Sequence, residues 1–288
     1  MNALKLMLGV WLGFALMSAE AMAECEGRWQ LDFVTAAAQI DTNNDGVWIP
    51  AHLHLDRGVS TCAKQLIVRQ PQGGPLQLQG QGTMANYQMM RANRQQLNHL
   101  GRDHHVMSLN GAQQYDLWVY IAQGKLLSPG RYQGMLDVKL AGGKLDQRGW
   151  QRHGFDYQVN PFVQVKLAGV QGGWLQPAGT SVRLHLGDLT RRNQRELPVY
   201  LESNTMVSMR VSSKNHGALV HVEQSQHQVP YQMLFAGQVI DLASEAQLVI
   251  AERAKTGKNV SLVFENQASP YARAGQYEDV VTVSIFAR

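Results

Sequence analysis

The segment AGQYEDVVTVSIFAR at residues 274–288 decides the fold, because it has the period-two pattern of a half-buried β-strand. Its large apolar residues fall on one face of an extended chain, and these residues are Tyr277, Val281, Val283 and Ile285. The strand is expected to continue to the last residue, whereas most chains end in a loosely ordered tail.

The segment PGRYQGMLDVKL at residues 129–140 repeats this pattern. Gly130 and Tyr132 precede Gly275 and Tyr277 by 145 residues. The apolar positions correspond in the same way, with Leu136, Val138 and Leu140 matching Val281, Val283 and Ile285. The two segments are therefore predicted to be the same strand in two copies of one domain.

Three further matches extend the repeat in the same order along the chain. Their separations are 143, 144 and 145 residues, and the paired segments are GGPLQL (73–78) with HGALVH (216–221), YQMMRAN (87–93) with YQMLFAG (231–237), and YDLWVYI (115–121) with VSLVFEN (260–266). A separation that drifts by only two residues predicts two tandem domains, at residues 24–147 and 155–288. The polar stretch at residues 148–154 is predicted to be the linker between them.

Both copies have the composition of all-β domains. Short segments rich in β-branched and large apolar residues, such as ALVHVE and NVSLVFEN, are separated by clusters of glycine, asparagine, serine and proline. No stretch has a convincing helical pattern. The predicted fold class is all-β, with two tandem immunoglobulin-like β-sandwiches.

The beginning of the chain predicts export. Lys5 supplies a charged start, residues 6–17 an apolar core, and Ala21-Met22-Ala23 a small-residue cleavage site. These are the parts of a secretory signal peptide, which is assigned to residues 1–23. The mature chain is expected to begin near Glu24.

Two cysteines and a weak positive charge set further bounds. Cys25 and Cys62 are the only cysteines, and an even pair in an exported protein predicts one disulfide. The formal net charge is +4, and no run of lysine or arginine is longer than Arg191-Arg192. Without a clustered basic patch, nucleic-acid binding is not expected.

The motif DTNNDG at residues 41–46 matches the first half of a calcium loop. Its candidate ligands are Asp41, Asn43 and Asp45. The twelfth position is His52, where a bidentate glutamate is needed, so a polar turn without metal is the favoured interpretation.

No catalytic motif is present. The sequence has no Gly-x-Ser-x-Gly elbow, no His-Glu-x-x-His helix and no phosphate-binding glycine loop. We therefore expect a non-enzymatic protein without a cofactor. His52 and His54 alternate on one predicted strand, and they are interpreted as surface histidines rather than as zinc ligands.

Trp48 is the candidate receptor-binding residue. It follows the turn in DGVWIP and would project from a loop tip, where aromatic residues often anchor ligands. Packing into the core is the more common fate of a tryptophan and is the favoured alternative.

The region from residue 197 to the carboxy terminus resembles the pilin domain of chaperone–usher pili, especially the branch related to spore coat protein U. The resemblance rests on Asn204 before a strand, on Asn215-x-Gly217-x-Leu219, on the strand start Pro230-Tyr231, and on the final Ala-Gly-x-Tyr-x-Asp-x-Val strand. It reaches residues 60–140 only through the internal repeat. The second copy departs from single-domain relatives in lacking their cysteines.

This resemblance implies that the second sandwich lacks its final strand. A periplasmic chaperone would first lend a strand, and an adjacent pilin subunit would then insert its own segment at the outer-membrane usher. The groove wall would consist of Tyr277, Val281, Val283 and Ile285. Without the resemblance, the same four residues would be interpreted as the inward face of a complete sandwich.

The position of Cys25 suggests which subunit this is. A donor strand would have to precede the first domain, and Cys25 leaves little chain between itself and the predicted mature terminus. We expect a tip adhesin on the cell surface, whose first domain binds an unidentified surface receptor. The alternatives are a minor pilus component, or a self-contained periplasmic binding protein or hydrolase.

Overall fold

The computed structural model describes residues 25–80, 82–167, 175–178, 181–251 and 257–288. The predicted signal peptide at residues 1–23 lies outside the described residues. The described chain is almost entirely β-structure, so the all-β prediction is confirmed. The longest described helix, Arg57–Cys62, has six residues, and no described helix has the length and apolar character needed to cross a membrane.

Residues 25–159 contain twelve described strands. They are β1 (Trp29–Phe33), β2 (Gln39–Ile40), β3 (Val47–Leu55), β4 (Gln65–Arg69), β5 (Gln77–Gln79), β6 (Met84–Asn86), β7 (Gln88–Arg91), β8 (Asn98–Leu100), β9 (His104–Ser108), β10 (Gln114–Ile121), β11 (Gly130–Ala141) and β12 (Gln151–Val159). The described helices are α1 (Arg57–Cys62) and three short 3₁₀ turns at Thr35–Ala37, Gly124–Leu126 and Gly143–Gln147.

These strands form two sheets around one core. One sheet has the order β1-β3-β10-β7, with β2 beside β3, and the other has the order β6-β5-β11-β4-β9-β8, with β12 beside β11. In β3 the alternate side chains of Val47, Ile49, Ala51 and Leu53 are fully buried. This alternation explains why the segment forms a strand with one face on the core.

Residues 163–288 contain the other twelve described strands. They are β13 (Val163–Leu167), β14 (Leu175–Ala178), β15 (Ser181–Leu184), β16 (Asn193–Ser203), β17 (Val207–Ser213), β18 (Ala218–His221), β19 (Gln228–Phe235), β20 (Gln238–Ile240), β21 (Ala246–Ala251), β22 (Lys258–Asn266), β23 (Tyr277–Glu278) and β24 (Val281–Ala287). The larger sheet has the order β13-β16-β22-β19-β18-β23, with β20 beside β19. The second sheet has the order β21-β17-β24, and β14 pairs with β15.

The strand pairings of the two halves repeat each other. The order β1-β3-β10-β7 corresponds to β13-β16-β22-β19, and the pair β4–β11 corresponds to β17–β24. The register repeats as well, since Val138 lies opposite Val68 and Val283 lies opposite Val211. Each half also has its own cluster of buried apolar residues. We therefore propose two units, at residues 25–159 and 163–288, as the domain division.

The prediction of a linker at residues 148–154 does not agree with the structure. Residues 151–154 begin β12, which pairs with β11 over nine residues. Its buried side chains belong to the core of the first unit, and they are Phe155, Tyr157 and Val159. The outward positions of β12 are polar, so the stretch resembles a linker when only composition is considered.

The predicted disulfide between Cys25 and Cys62 is confirmed. It links residues that are 37 positions apart, and a cross-link of this span stabilises a fold by about 3–4 kcal/mol in the chain-entropy model. Cys25 is buried, and its carbonyl accepts a hydrogen bond from Nη2 of Arg148 at 2.6 Å. The start of the described chain is thus held against the first unit.

Candidate functional site

Strand β24 is the edge of its sheet in the described structure. It pairs with β17 from Val281 to Ala287. Among the described residues, no strand pairing or backbone hydrogen bond involves the opposite edge of β24. An edge of this kind presents a row of N–H and C=O groups that can pair with another chain.

The ladder between β17 and β24 determines which backbone groups face outward. The N–H of Lys214 donates to the carbonyl of Val280, and the N–H of Arg288 donates to the carbonyl of Met206, both at 2.9 Å. Along an antiparallel strand, successive residues direct their backbone groups to opposite sides. The even-numbered residues of β24 therefore bond to β17. The alternate residues, which are Val281, Val283 and Ile285, direct their N–H and C=O groups to the free edge.

The side chains of these three residues point toward the core but are incompletely covered. Val281, Val283 and Ile285 are half-buried and pack against the buried residues of the second unit. The corresponding residues of β11 are buried, with exposed fractions of 0% for Leu136 and Val138 and 3% for Leu140. The core of the second unit is therefore less covered along β24 than the first core is along β11.

Strand β13 forms the facing wall. Val165 and Leu167 lie opposite Leu201 and Val199 of β16, and cross-strand partners share one face of a sheet. Leu201 and Val199 are buried at 0% and 3% exposure, whereas Val165 and Leu167 are each 41% exposed. Two core-facing side chains are thus left uncovered. We call the space between β13 and β24 the open groove.

The width of the open groove limits what it can hold. Some Cα atoms of β13 and β24 lie within 8 Å of each other. A strand inserted between them and paired with both would need about 9.5 Å, which is twice the usual spacing between strands. One extended segment therefore fits only after β13 and β24 move apart where they are closest.

Tyr277 is not part of this wall. It lies in β23, opposite His221 of β18 in the larger sheet, and its hydroxyl donates to the carbonyl of Arg273 at 3.0 Å. Asp279 and Val280 separate β23 from β24. The structure therefore brings together three of the four predicted groove residues.

Asp279 is a structural centre to which sequence reasoning gave no role. Its Oδ2 accepts hydrogen bonds from the hydroxyls of Tyr231 and Ser213, both at 2.6 Å, and its Oδ1 accepts one from the N–H of Asn215 at 2.9 Å. Burial, followed by the bond to Asp279, raises the pKa of the Tyr231 hydroxyl well above its ordinary value. These bonds fix the chain just before the open groove begins.

A second polar centre joins the two units at one end of the groove. Asn204 is fully buried, and its Oδ1 accepts from the N–H of Phe162 at 3.0 Å while its Nδ2 donates to the carbonyl of Asn160 at 2.9 Å. Nζ of Lys125, in the first unit, lies 3.5 Å from Oε2 of Glu202 and also lies over the Phe162 ring. We call this set the junction.

One residue of the DTNNDG motif contributes to the junction. Oδ1 of Asp45 accepts a hydrogen bond from Nζ of Lys125 at 2.9 Å. Oδ1 of Asp41 accepts from the N–H of Asn43 at 3.0 Å, as in an ordinary Asx turn. No group of three or more His, Cys, Asp or Glu residues in the described chain is arranged to hold a metal ion.

Trp48 does not project from a loop tip. It lies in β3 on the outer face of its sheet and is only 8% exposed. The centroid of its ring lies 4.3 Å from that of Tyr120, and the guanidinium carbon of Arg94 lies 4.7 Å from the Trp48 ring centroid. Trp118 joins this cluster at 6.3 Å from Trp48.

The comparison with known proteins finds matches among solved structures. No family model matches the sequence, and no curated protein matches it. The structural neighbours include the CsuC–CsuE chaperone–tip adhesion subunit complex from archaic chaperone–usher pili of Acinetobacter baumannii. That match has 12% identity and a TM-score of 0.40, and it covers 81% of this chain and 88% of that one.

Two further neighbours are adhesive subunits. CfaE, the adhesive subunit of CFA/I fimbria of enterotoxigenic Escherichia coli, matches at 10% identity and a TM-score of 0.35, over 92% of this chain and 82% of that one. The CupB6 tip adhesin from Pseudomonas aeruginosa matches at 10% identity and a TM-score of 0.32, over 89% of each chain. Likeness at these values carries no argument about function, so function is inferred below from the chain's own residues.

Proposed function

We propose that this chain is a subunit of a chaperone–usher pilus whose second unit accepts a β-strand from another polypeptide. The observation that supports this most directly is the open groove, where the free edge of β24 and the uncovered side chains of β13 face each other with no described strand between them. Strand addition to an exposed edge is an established mode of recognition, and chaperone–pilin complexes are one of its known examples.

An inserted strand would satisfy both deficits of the groove. Its backbone would pair with the outward N–H and C=O groups of Val281, Val283 and Ile285. Its alternate apolar side chains would cover those residues together with Val165 and Leu167. Each apolar side chain that becomes fully buried contributes about 1.5–3 kcal/mol, so a strand with several such residues would bind firmly.

The partners follow from this mechanism. A periplasmic chaperone would supply the strand first, and an adjacent pilin subunit would replace it during assembly at the outer-membrane usher. The predicted signal peptide supports the route through the periplasm to the cell surface. The proposed role requires strand exchange and no covalent chemistry.

We further propose that the subunit is the tip adhesin. In the first unit, β12 already occupies the position beside β11 that is vacant beside β24, so this unit needs no donor and is available for a receptor. Cys25 is tied to Cys62 and buried, so a donor segment would have to precede it. Amino-terminal sequencing of the exported protein tests this position. A long alternating apolar segment before Cys25 would favour a minor, strand-donating subunit instead.

Hydrogen exchange on protein purified from the periplasm tests the strand-acceptor role. Residues 24–288 would be produced with and without a candidate periplasmic chaperone encoded near the gene. We expect a stable one-to-one complex in which amides of β24 at Val281, Val283 and Ile285 are protected. Without the chaperone, the yield of soluble protein should fall, and in the soluble fraction the same amides should exchange rapidly.

The amides of β11 provide the internal control. Because β12 covers one edge of β11 from Gly130 to Val138, the amides of that segment that face β12 should stay protected with and without the chaperone. A monodisperse free chain with equal protection in β11 and β24 would contradict the proposal. That result would favour a self-contained binding protein or hydrolase.

A further inference from the structure

Four large side chains form a cluster on the outer face of the sheet β1-β3-β10-β7, on the side away from the core of the first unit. Trp48 lies directly opposite Tyr120, and Trp118 lies directly opposite Met90. None of these four residues belongs to the buried core of the first unit. Even so, only 8% of Trp48 and 7% of Met90 are exposed.

The side chain of Arg94 lies over this cluster. Its guanidinium carbon is 4.7 Å from the centroid of the Trp48 ring and 5.5 Å from that of the Trp118 ring. The two indole rings are nearly perpendicular, at 87°, and their centroids are 6.3 Å apart. The rings therefore form two walls of a corner that holds a cation. We call Trp48, Trp118 and Tyr120 the aromatic corner.

The described contacts of the Arg94 guanidinium are with the rings alone. In the described structure, its side chain makes no hydrogen bond and no ion pair within the chain. Arg94 lies in an exposed turn, and its φ of 63° is unfavourable for a residue other than glycine. A guanidinium carries several N–H donors, and these find no protein acceptor at the corner. Arg94 is therefore an occupant that a better-matched cation can replace.

The chemistry of the corner favours a cation without N–H groups. The faces of aromatic rings attract cations, and tryptophan does so most strongly. A quaternary ammonium has no donors, so it needs no acceptor from the protein. It is also nearly spherical, so it can contact two perpendicular rings at once, whereas a planar guanidinium stacks on one.

The rings are fixed in place before a ligand arrives. The centroids of Trp48 and Tyr120 are 4.3 Å apart. On its other side the Tyr120 ring lies against Gly46, where an added Cβ atom would come within 2.6 Å of the ring. A site whose side chains are already held by packing loses little freedom when it binds.

The Trp48 ring also has an unused hydrogen-bond donor. Its Nε1 is buried and has no hydrogen-bond partner in the described structure. Leaving a buried donor unpaired is costly, so it favours a ligand that brings an acceptor. A hydroxyl or phosphate-ester oxygen carried two carbons from a quaternary nitrogen, as in choline, is such an acceptor.

We propose that the aromatic corner binds a quaternary ammonium group of the choline type, and that Arg94 occupies the corner when this ligand is absent. Binding requires the Arg94 side chain to move off the rings. Free choline and the headgroup of a choline lipid share this chemistry, and the experiment below distinguishes them. The inference does not depend on the proposed function, because it rests on the outer face of the first unit and not on the open groove.

Ligand-observed NMR on the full mature chain tests this inference. The chain is purified alone or with its chaperone, whichever form is soluble, and titrated at constant ionic strength. The probes are choline and dimethylbutanol, the uncharged analogue in which carbon replaces the quaternary nitrogen. Saturation transfer should give a Kd for choline that is about tenfold lower than that for dimethylbutanol, since only choline carries the charge that the rings attract.

Substitutions of Arg94 and Trp118 locate the site. Arg94→Ala should tighten choline binding about tenfold, because an occupant that fills a site for about nine-tenths of the time weakens the apparent affinity by that factor. In the Arg94→Ala background, Trp118→Ala should weaken binding about tenfold. Trp118→Phe keeps an aromatic ring in the cluster and should lie between the two. Arg102→Ala, which removes an exposed arginine of the next turn, should change nothing.

Phosphatidylcholine vesicles identify the source of the ligand. Sedimentation of the Arg94→Ala chain with these vesicles, and not with phosphatidylglycerol vesicles, would assign a lipid headgroup. Choline binding without sedimentation would assign a free solute, and both results keep the inference.

Four results would overturn the inference. These are no choline binding by any variant, equal affinity for choline and dimethylbutanol, no gain in affinity in Arg94→Ala, and no loss in either Trp118 variant. None of these results concerns the protection of β24, so the proposed function stands or fails separately.

Discussion

Strands β11 and β24 occupy equivalent positions in the two units but have different surroundings. Both carry the same alternating apolar residues, and both pair on one edge with the equivalent strands β4 and β17. On its other edge β11 pairs with β12, whereas β24 has no described partner there. Equivalent strand sequences therefore have different outcomes. The core of the first unit is closed because β12 pairs with β11, and the second unit has an open groove because no described strand pairs with the free edge of β24.

The largest expected effect comes from weakening that additional strand. The ring of Phe155 in β12 packs against two other rings, with centroid distances of 4.8 Å to Phe33 and 5.4 Å to Tyr87. Phe155→Ala should destabilise the first unit by about 3–5 kcal/mol, because it leaves a cavity in a closed core. Guanidinium unfolding followed by tryptophan fluorescence measures this, since four of the five tryptophans of the predicted mature chain lie in the first unit, at positions 29, 48, 118 and 150.

The matched control is Phe286→Ala in β24. Its ring is half-buried and lies near the guanidinium groups of Arg210 and Arg288. Its loss should leave the fluorescence-detected transition unchanged. If Phe155→Ala costs no more than Phe286→Ala, β12 does not close the first unit and the contrast between the units fails.

A pair of equivalent valines gives the next largest effect. Val138→Ala should cost about 2 kcal/mol, because Val138 is fully buried between two neighbouring strands. Val283→Ala should cost less than about 1 kcal/mol in the free chain, because its side chain is incompletely covered. In the chaperone complex the same change should approach the cost at Val138, since the inserted strand covers it.

Calorimetry of the two variants, free and in complex, measures these costs. Thr282→Ala serves as the control, since its side chain is exposed on the outer face of β24. Equal costs for Val138→Ala and Val283→Ala in the free chain would mean that the groove is already filled.

The sequence predicts the repeated strands because their alternation is local. Leu136, Val138 and Leu140 match Val281, Val283 and Ile285 in the sequence, and the structure gives both sets the same register. Whether a partner strand exists is not a property of the strand itself. It depends on β12, which is hard to predict from composition because many of its residues are polar. Two of these polar residues, Arg152 and Asp156, form ion pairs with β11.

The groove could be predicted only in part for the same reason. In the sequence, Tyr277 fits the period-two apolar pattern that includes Val281. In the structure, Asp279 interrupts the strand and accepts hydrogen bonds from Ser213 and Asn215. The β13 wall was missed although Val163, Val165 and Leu167 alternate, because a strand of five residues gives a weak signal. Trp48 follows a turn in the sequence, yet pairing of β3 with β10 places it against Tyr120.

The smallest expected effect concerns two tyrosines at equivalent positions of the repeat. The Tyr87 hydroxyl donates to the carbonyl of Met135 at 3.4 Å, whereas the Tyr231 hydroxyl donates to the carboxylate of Asp279 at 2.6 Å. Bonds to charged groups contribute more, so Tyr231→Phe should cost about 1.5 kcal/mol and Tyr87→Phe about 0.5 kcal/mol. Circular dichroism during unfolding measures both variants.

The pH dependence of stability tests the raised pKa of these tyrosine hydroxyls. Burial raises the pKa of both hydroxyls, and at Tyr231 the bond to Asp279 raises it further. A raised pKa in the folded state means that the stabilisation is complete below the ordinary pKa of 10.0 and declines as pH rises above it. The second unit should therefore lose stability above about pH 10, and Tyr231→Phe should flatten that decline. An unchanged slope in Tyr231→Phe would mean that the pKa of the Tyr231 hydroxyl is not raised in the folded second unit.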